Sequence, residues 1–160
     1  IAHITEKSAL QALKRYEGTV IASHCNATAL LKEDSGRPRH LSDRVIRRLA
    51  ERDGVIGVVP FNRFLRSGWK NDEPREWVTL RHLADHVDHI CQVTGSVRHV
   101  GIGTDFDGGF GYPAVPLEMD TIADLPKLAD LLTERGFYEQ DLQVIACTNW
   151  TRILEQTLPA

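Results

Sequence analysis

The chain has 160 residues, 42% hydrophobic and 26% charged, with a formal net charge of -3 at pH 7. That is enough chain for one domain with a packed core and an ordinary soluble composition, and the weak acidic balance gives no electrostatic footprint for nucleic acid or an anionic membrane. No apolar run approaches the roughly 18 residues of a membrane span. In chain order, Ile1-Ala2-His3-Ile4-Thr5 is an apolar, β-like run, read as a first strand that brings His3 to its end. The chain starts inside that run and without methionine, so it reads as the downstream piece of a longer protein. Ala9, Leu10, Ala12 and Leu13, with Thr5 as N-cap and Gly18 as a stop, predict a helix over 6–17. Thr19–Ser23 follows as a second strand ending at His24, and after the loop 26–41 Ser42 caps a helix carrying Val45, Ile46 and Leu49 and closed by Gly54. Val55–Val59 is the third strand. Leu80, Leu83, Ala84, Val87, Ile90 and Cys91 define a third helix, ended by Gly95, which leads into the fourth strand, His99–Gly103. The glycine-rich loop 106–120 precedes helices near 125–135, with Pro126 in the first turn, and 139–157, with a break near Thr148-Asn149.

Four strands, mostly uninterrupted and apolar, each followed by helix, predict a parallel sheet covered by helices. A full (β/α)8 barrel takes about 250 residues, so the pattern predicts α/β architecture as half of such a barrel, in a single segment, 1–160; a small open doubly wound sheet shares the pattern. Three cysteines, Cys25, Cys91 and Cys147, show no Cys-x-x-Cys pair. They are read as reduced thiols, which suits a cytoplasmic setting.

Two imidazoles at the carboxyl ends of neighbouring parallel strands stand where such folds assemble a metal or catalytic site. His3 and His24 are therefore candidate metal ligands, although a catalytic zinc needs three protein ligands and a lone histidine at a strand end is commonly a core residue. Cys25, pointing the other way from His24, is read as packing. Asp105, just past the fourth strand, is a candidate general base or anchor for a substrate ammonium, whereas Asp107-Gly108 is read as a turn. Gly101-Ile-Gly103 gives at most a fragment of a dinucleotide loop. In Arg37-Pro38-Arg39-His40, on the same rim, an arginine could hold a substrate carboxylate bidentately. Arg44, Arg47 and Arg48 read as a solvated face beside Glu51. His82, Asp85, His86 and His89 form a helical stripe resembling a metal site, but are read as facing solvent, so that replacing His86 should change little.

These runs, His3 with Ser23-His24-Cys25-Asn26, Arg37-Pro38-Arg39-His40-Leu41-Ser42-Asp43, Gly54-Val55-Ile56-Gly57-Val58, Asp85-His86-Val87-Asp88-His89-Ile90, Gly101-Ile102-Gly103-Thr104-Asp105-Phe106-Asp107-Gly108 and Asn149-Trp150-Thr151-Arg152, together resemble the renal (membrane) dipeptidases, the M19 metallopeptidases of the amidohydrolase group. The resemblance spans almost the whole chain and covers the family's C-terminal half. It implies that His3 and His24 bind one zinc (Zn2+) of a binuclear pair, that Arg39 receives the free carboxylate of a dipeptide, and that Asp105 meets its amino group or serves as base. It implies hydrolysis of the single peptide bond by a hydroxide bridging the metals, with the other zinc's His-x-Asp motif, the bridging glutamate and a further histidine supplied by an upstream barrel half. His40 stands where the family usually has asparagine, and Cys25 where it has serine. Other amidohydrolase chemistry on a small carboxylated amide would use Arg39 equally well. A nonenzymatic half-barrel that binds or assembles, its open edges pairing as a homodimer, is the reading from a different class.

Overall fold

The computed structural model describes residues 1–31 and 39–158. Helix α1 spans Glu6–Arg15; the Thr5 hydroxyl accepts the Ser8 N–H at 3.2 Å, and the helix ends at Tyr16, before Gly18. Helix α2, Asp43–Ala50, begins at Ser42, whose Oγ accepts from the Val45 N–H. Strand β1, Ile56–Val58, leads to the short α3, Asn62–Leu65, and to α4, Leu80–Thr94, which stops at Gly95 with φ of 71°, a left-handed cap that suits glycine. Strand β2 is Val100–Ile102 and pairs parallel with β1, Ile56 opposite Val100. After it come α5 (Lys127–Glu134), α6 (Glu139–Gln143), a π-helical turn (Val144–Thr148) and α7 (Asn149–Thr157).

Four strands were expected, and two form a ladder. The segment 19–23 contributes one bridge, Ala22 to Ile56, continued by the Cys25 N–H donating to the Gly57 carbonyl at 2.8 Å. Residues 1–4 turn instead of extending: His3 has φ of 61°, incompatible with a strand, and the Ile1 ammonium donates to the Ile21 carbonyl at 2.6 Å. Apolar content marked these runs as extended, but strand identity requires a ladder partner, and among the described residues Ile1–Ile4 has none. The sheet is nevertheless ordered as anticipated, with 22–25, β1 and β2 side by side and parallel. Ala22, Ile56, Val58 and Val100 are fully buried in one core cluster with Ile46 and Leu49 of α2 and Leu83, Val87 and Ile90 of α4.

The predicted break near Thr148-Asn149 is the π turn. It lets Asn149 enter the core, where its amide donates to the carbonyls of Val97 (2.8 Å) and Val100 (2.7 Å), while the Trp150 indole donates to Ile102 at 3.0 Å. Arg152 reaches the Asp53 carboxylate at 2.8 Å. The Asn149–Arg152 run thus ties α7 to β2. Gly101 and Gly103 have a packing reason too: a side chain at 101 would strike the Trp150 indole, and one at 103 would strike the Ser23 carbonyl.

The stripe on α4 corrects the expectation of a solvent-directed face. His86 is fully buried and its Nδ1 accepts the Ala27 N–H at 3.1 Å. At about 100° per residue, position 86 lies about 60° from Leu83, on the flank of the apolar face; Asp85 lies about 160° away, exposed, and pairs with Arg135 at 2.6 Å. The His82 ring caps its own helix through Thr79, and His89 meets Asp43 at 2.8 Å. No helix is long and apolar enough to cross a membrane among the described residues.

Candidate active site

His24 stands where the bridged segment leaves the sheet. Ser23 Oγ lies 2.8 Å from His24 Nδ1, which fixes the ring and leaves Nε2 pointing outward. His3 supplies the second ring: the two Nε2 atoms are 2.6 Å apart, with ring centroids 4.8 Å apart. Both rings therefore aim one nitrogen at a common point, although they come from segments separated by α1. Burial holds the His24 pKa below the ordinary imidazole value, partly offset by the Asp105 carboxylate. The ring is thus neutral at pH 7, the form that donates a lone pair.

Asp105 Oδ2 lies 3.9 Å from His24 Nε2. Its backbone is left-handed, φ 53°, and its carbonyl accepts the Gly108 N–H at 2.8 Å, closing a turn. Gly108 is required there, because a Cβ would sit 2.5 Å from the Asp105 carboxylate. Among the described residues, His3, Asp53 and Asp105 are the non-glycine residues with positive φ; two of the three belong to this cluster, and uncommon backbone held in place by its surroundings concentrates at functional sites. Asp107 is exposed within the turn.

Arg39 reaches the same rim. One guanidinium nitrogen donates to the His24 carbonyl at 3.3 Å, and the group lies 4.0 Å over the Phe64 ring. Burial lowers its pKa, while Cys25 and Asp105 oppose the shift; an arginine so placed stays charged. Arg37 and Pro38 lie outside the described residues. Cys25 is fully buried, as expected of a packing residue, and burial pushes its thiol pKa up.

His3, His24, Asp105 and Arg39 are thus neighbours on one rim. Among the described residues no group of three or more His, Cys, Asp or Glu side chains converges as a complete metal cage. The supporting residues were not anticipated. Asn26 is fully buried and its side chain donates to the carbonyls of Val59 and Phe64 at 3.0 and 2.9 Å and accepts from the Val59 N–H at 2.9 Å. Phe64 then carries Arg39 on its face. An asparagine two residues past a strand-end histidine, inside an apolar stretch, was the available signal.

Residues 1–159 match the membrane dipeptidase family, peptidase family M19. The chain belongs to that family. It is 30% identical over 155 residues to an uncharacterized protein in the pqqA 5' region of Klebsiella pneumoniae, covering 97% of this chain and 53% of the relative. It is 32% identical over 157 residues to an uncharacterized dipeptidase of Schizosaccharomyces pombe, covering 98% of this chain and 35% of the relative. Among solved structures, a metallo peptidase from Rhodobacter sphaeroides liganded with a phosphinate mimic of the dipeptide L-Ala-D-Ala superposes with a TM-score of 0.81 at 27% identity, covering 98% of this chain and 41% of that one. The M19 chain is therefore an α/β portion of the fold, spanning between about a third and a half of these relatives' lengths.

Proposed function

We propose that this M19 chain is the C-terminal half of a TIM-like barrel from a zinc-dependent dipeptidase, with His3 and His24 holding one zinc, Arg39 reading the free carboxylate of the substrate and Asp105 its amino end or the proton transferred in hydrolysis. The observation that carries this reading is the convergence of His3 Nε2 and His24 Nε2 at 2.6 Å beside the Asp105 carboxylate. The donor set fits the metal: two neutral imidazole nitrogens face one point, and tetrahedral zinc at 2.0–2.1 Å from each would set them about 3.3 Å apart, a small parting of the rings. Ser23 at His24 Nδ1 is the partner that a ligating imidazole uses to hold its tautomer.

Bound zinc supplies a nucleophile at neutral pH and polarises the scissile carbonyl. The chain's own residues do the rest. Arg39, steadied on Phe64 and on the His24 carbonyl, offers a planar pair of donors to the substrate carboxylate and so fixes the distance from the peptide's end to the histidines. Asp105 sits on the His24 side of the rim, its Oδ2 3.9 Å from His24 Nε2, and attracts an ammonium or takes up a proton. The remaining ligands are assigned in this proposal to an upstream barrel half.

The test is hydrolysis of free dipeptides by the full-length protein, with zinc measured in parallel. Activity that rises with zinc content and falls when the dipeptide is C-terminally amidated is expected. Zinc-loaded protein that leaves free dipeptides intact would retire the reading.

A further inference from the structure

The backbone just past His24 is fastened at successive residues. The Cys25 N–H donates to Gly57, the Asn26 side chain grips Val59 and Phe64, and the Thr28 N–H donates to the Leu41 carbonyl at 2.9 Å, while the Leu41 N–H returns to Asn26 at 2.9 Å. Ala27, bridged to Leu41, lies at the centre of this crossing. Its N–H donates to His86 Nδ1 of α4 at 3.1 Å. Both arms of the crossing end at candidate site residues: three positions before Ala27 is His24, and two before Leu41 is Arg39.

We infer that His86 is a positioning residue of the candidate site, an imidazole acceptor seated on α4 that holds the crossing of 26–28 with 41 and thereby the spacing of His24 from Arg39. The inference rests on the dipeptidase reading above. An imidazole accepts at Nδ1 when its proton is on Nε2, and burial, reinforced by His40, His89 and His82, pushes the His86 pKa down to about 3. The acceptor therefore persists at any pH near neutrality. The buried Nε2–H is left without a hydrogen bond of full geometry, and the Phe64 backbone beside the ring only partly opposes the downward shift. A leucine would fill a similar volume without the acceptor, so the well-formed bond that the substitution removes is the one to Ala27. On the same helix the His82 ring is engaged with Thr79 and His89 with Asp43, while His86 ties α4 to the crossing.

The experiment compares the full-length wild type with His86→Leu, which removes the acceptor and keeps bulk, and His86→Asn, whose Oδ1 falls near the place of Nδ1. Amide hydrogen exchange at Ala27 and Thr28 should accelerate at least tenfold in the leucine variant, and KM for a free dipeptide should rise at least tenfold, with the asparagine variant restoring both. Should the leucine variant fail to fold, His86→Met makes the same comparison with a side chain that adapts to the cavity. A variant that loses thermal stability while retaining wild-type exchange at 27–28 and wild-type KM overturns the positioning role. Wild-type protein without dipeptidase activity retires the functional reading instead, and the exchange arm then decides on the inference by itself.

Discussion

Replacing Arg39 by methionine separates substrate reading from metal holding. Methionine keeps an unbranched, apolar stem against Phe64 but loses the guanidinium that lies 4.0 Å over the ring and donates to the His24 carbonyl at 3.3 Å. Truncating one partner of a buried, hydrogen-bonded charge pair costs roughly 2–5 kcal/mol, which at about 1.4 kcal/mol per decade is roughly 30- to 5,000-fold in kcat/KM. The lower half of that range is expected, because Arg39 is half-buried rather than sealed from water and, among the described residues, its Nε has no hydrogen-bond partner. The assay is steady-state hydrolysis of one dipeptide with a free and with an amidated C-terminus, by wild type and variant, with zinc content measured on the same samples. The free dipeptide should lose at least about 30-fold in the variant and the amide, already poor, should change little. Equal turnover of the two substrates by the wild type, or an equal loss for both in a variant that keeps its zinc, would refute the carboxylate assignment.

His24→Ala should remove most activity together with zinc, since one of the two converging nitrogens is lost; metal analysis showing full zinc would reassign the ligand. Gly108→Ala should lower activity through Asp105, whose carboxylate occupies the space a Cβ needs, with little change in zinc content. On acidification, the folded His86, with its pKa at about 3 instead of 6.5, cannot take the proton that the unfolded chain takes below pH 6.5. Stability should therefore fall by about 1.4 kcal/mol per pH unit from 6.5 downward, and denaturant titrations at pH 7.5, 6 and 5 should show that slope flattened in His86→Leu; equal slopes would place the ring in contact with water. Residues 1–160 expressed alone, with two parallel edges open, are expected to dimerise or aggregate and to lack dipeptidase activity; light scattering that shows an active monomer contradicts the half-barrel reading.

Much of the local structure was readable because its causes are local. Thr5 and Ser42 cap helices with their own hydroxyls, and Gly95 stops α4 by adopting a positive φ that other residues resist. Strand formation was less legible, since whether Ile1–Ile4 or Thr19–Ser23 pairs depends on carbonyls elsewhere in the chain. The expected juxtaposition of His3, His24, Arg39 and Asp105 came from placing each on one rim after a β-like run, Arg39 in the loop beyond the second; the four side chains are near one another although the first run turns at His3. His86 was misplaced for a different reason: counting i, i+3, i+4 and i+7 among the polar residues concealed that 83, 86, 87 and 90 share the same spacing. Asn26 and Phe64 act through bonds to residues far away in sequence, and nothing in their own neighbourhood announces Arg39 resting on the ring.

The most direct test of the account is anomalous scattering at the zinc edge from crystals of the full-length protein. The account predicts a zinc peak within ligand distance of both His3 Nε2 and His24 Nε2, on the rim shared with Asp105 and Arg39. A fully occupied zinc ligated elsewhere, with these two nitrogens still bonded to each other, would contradict it.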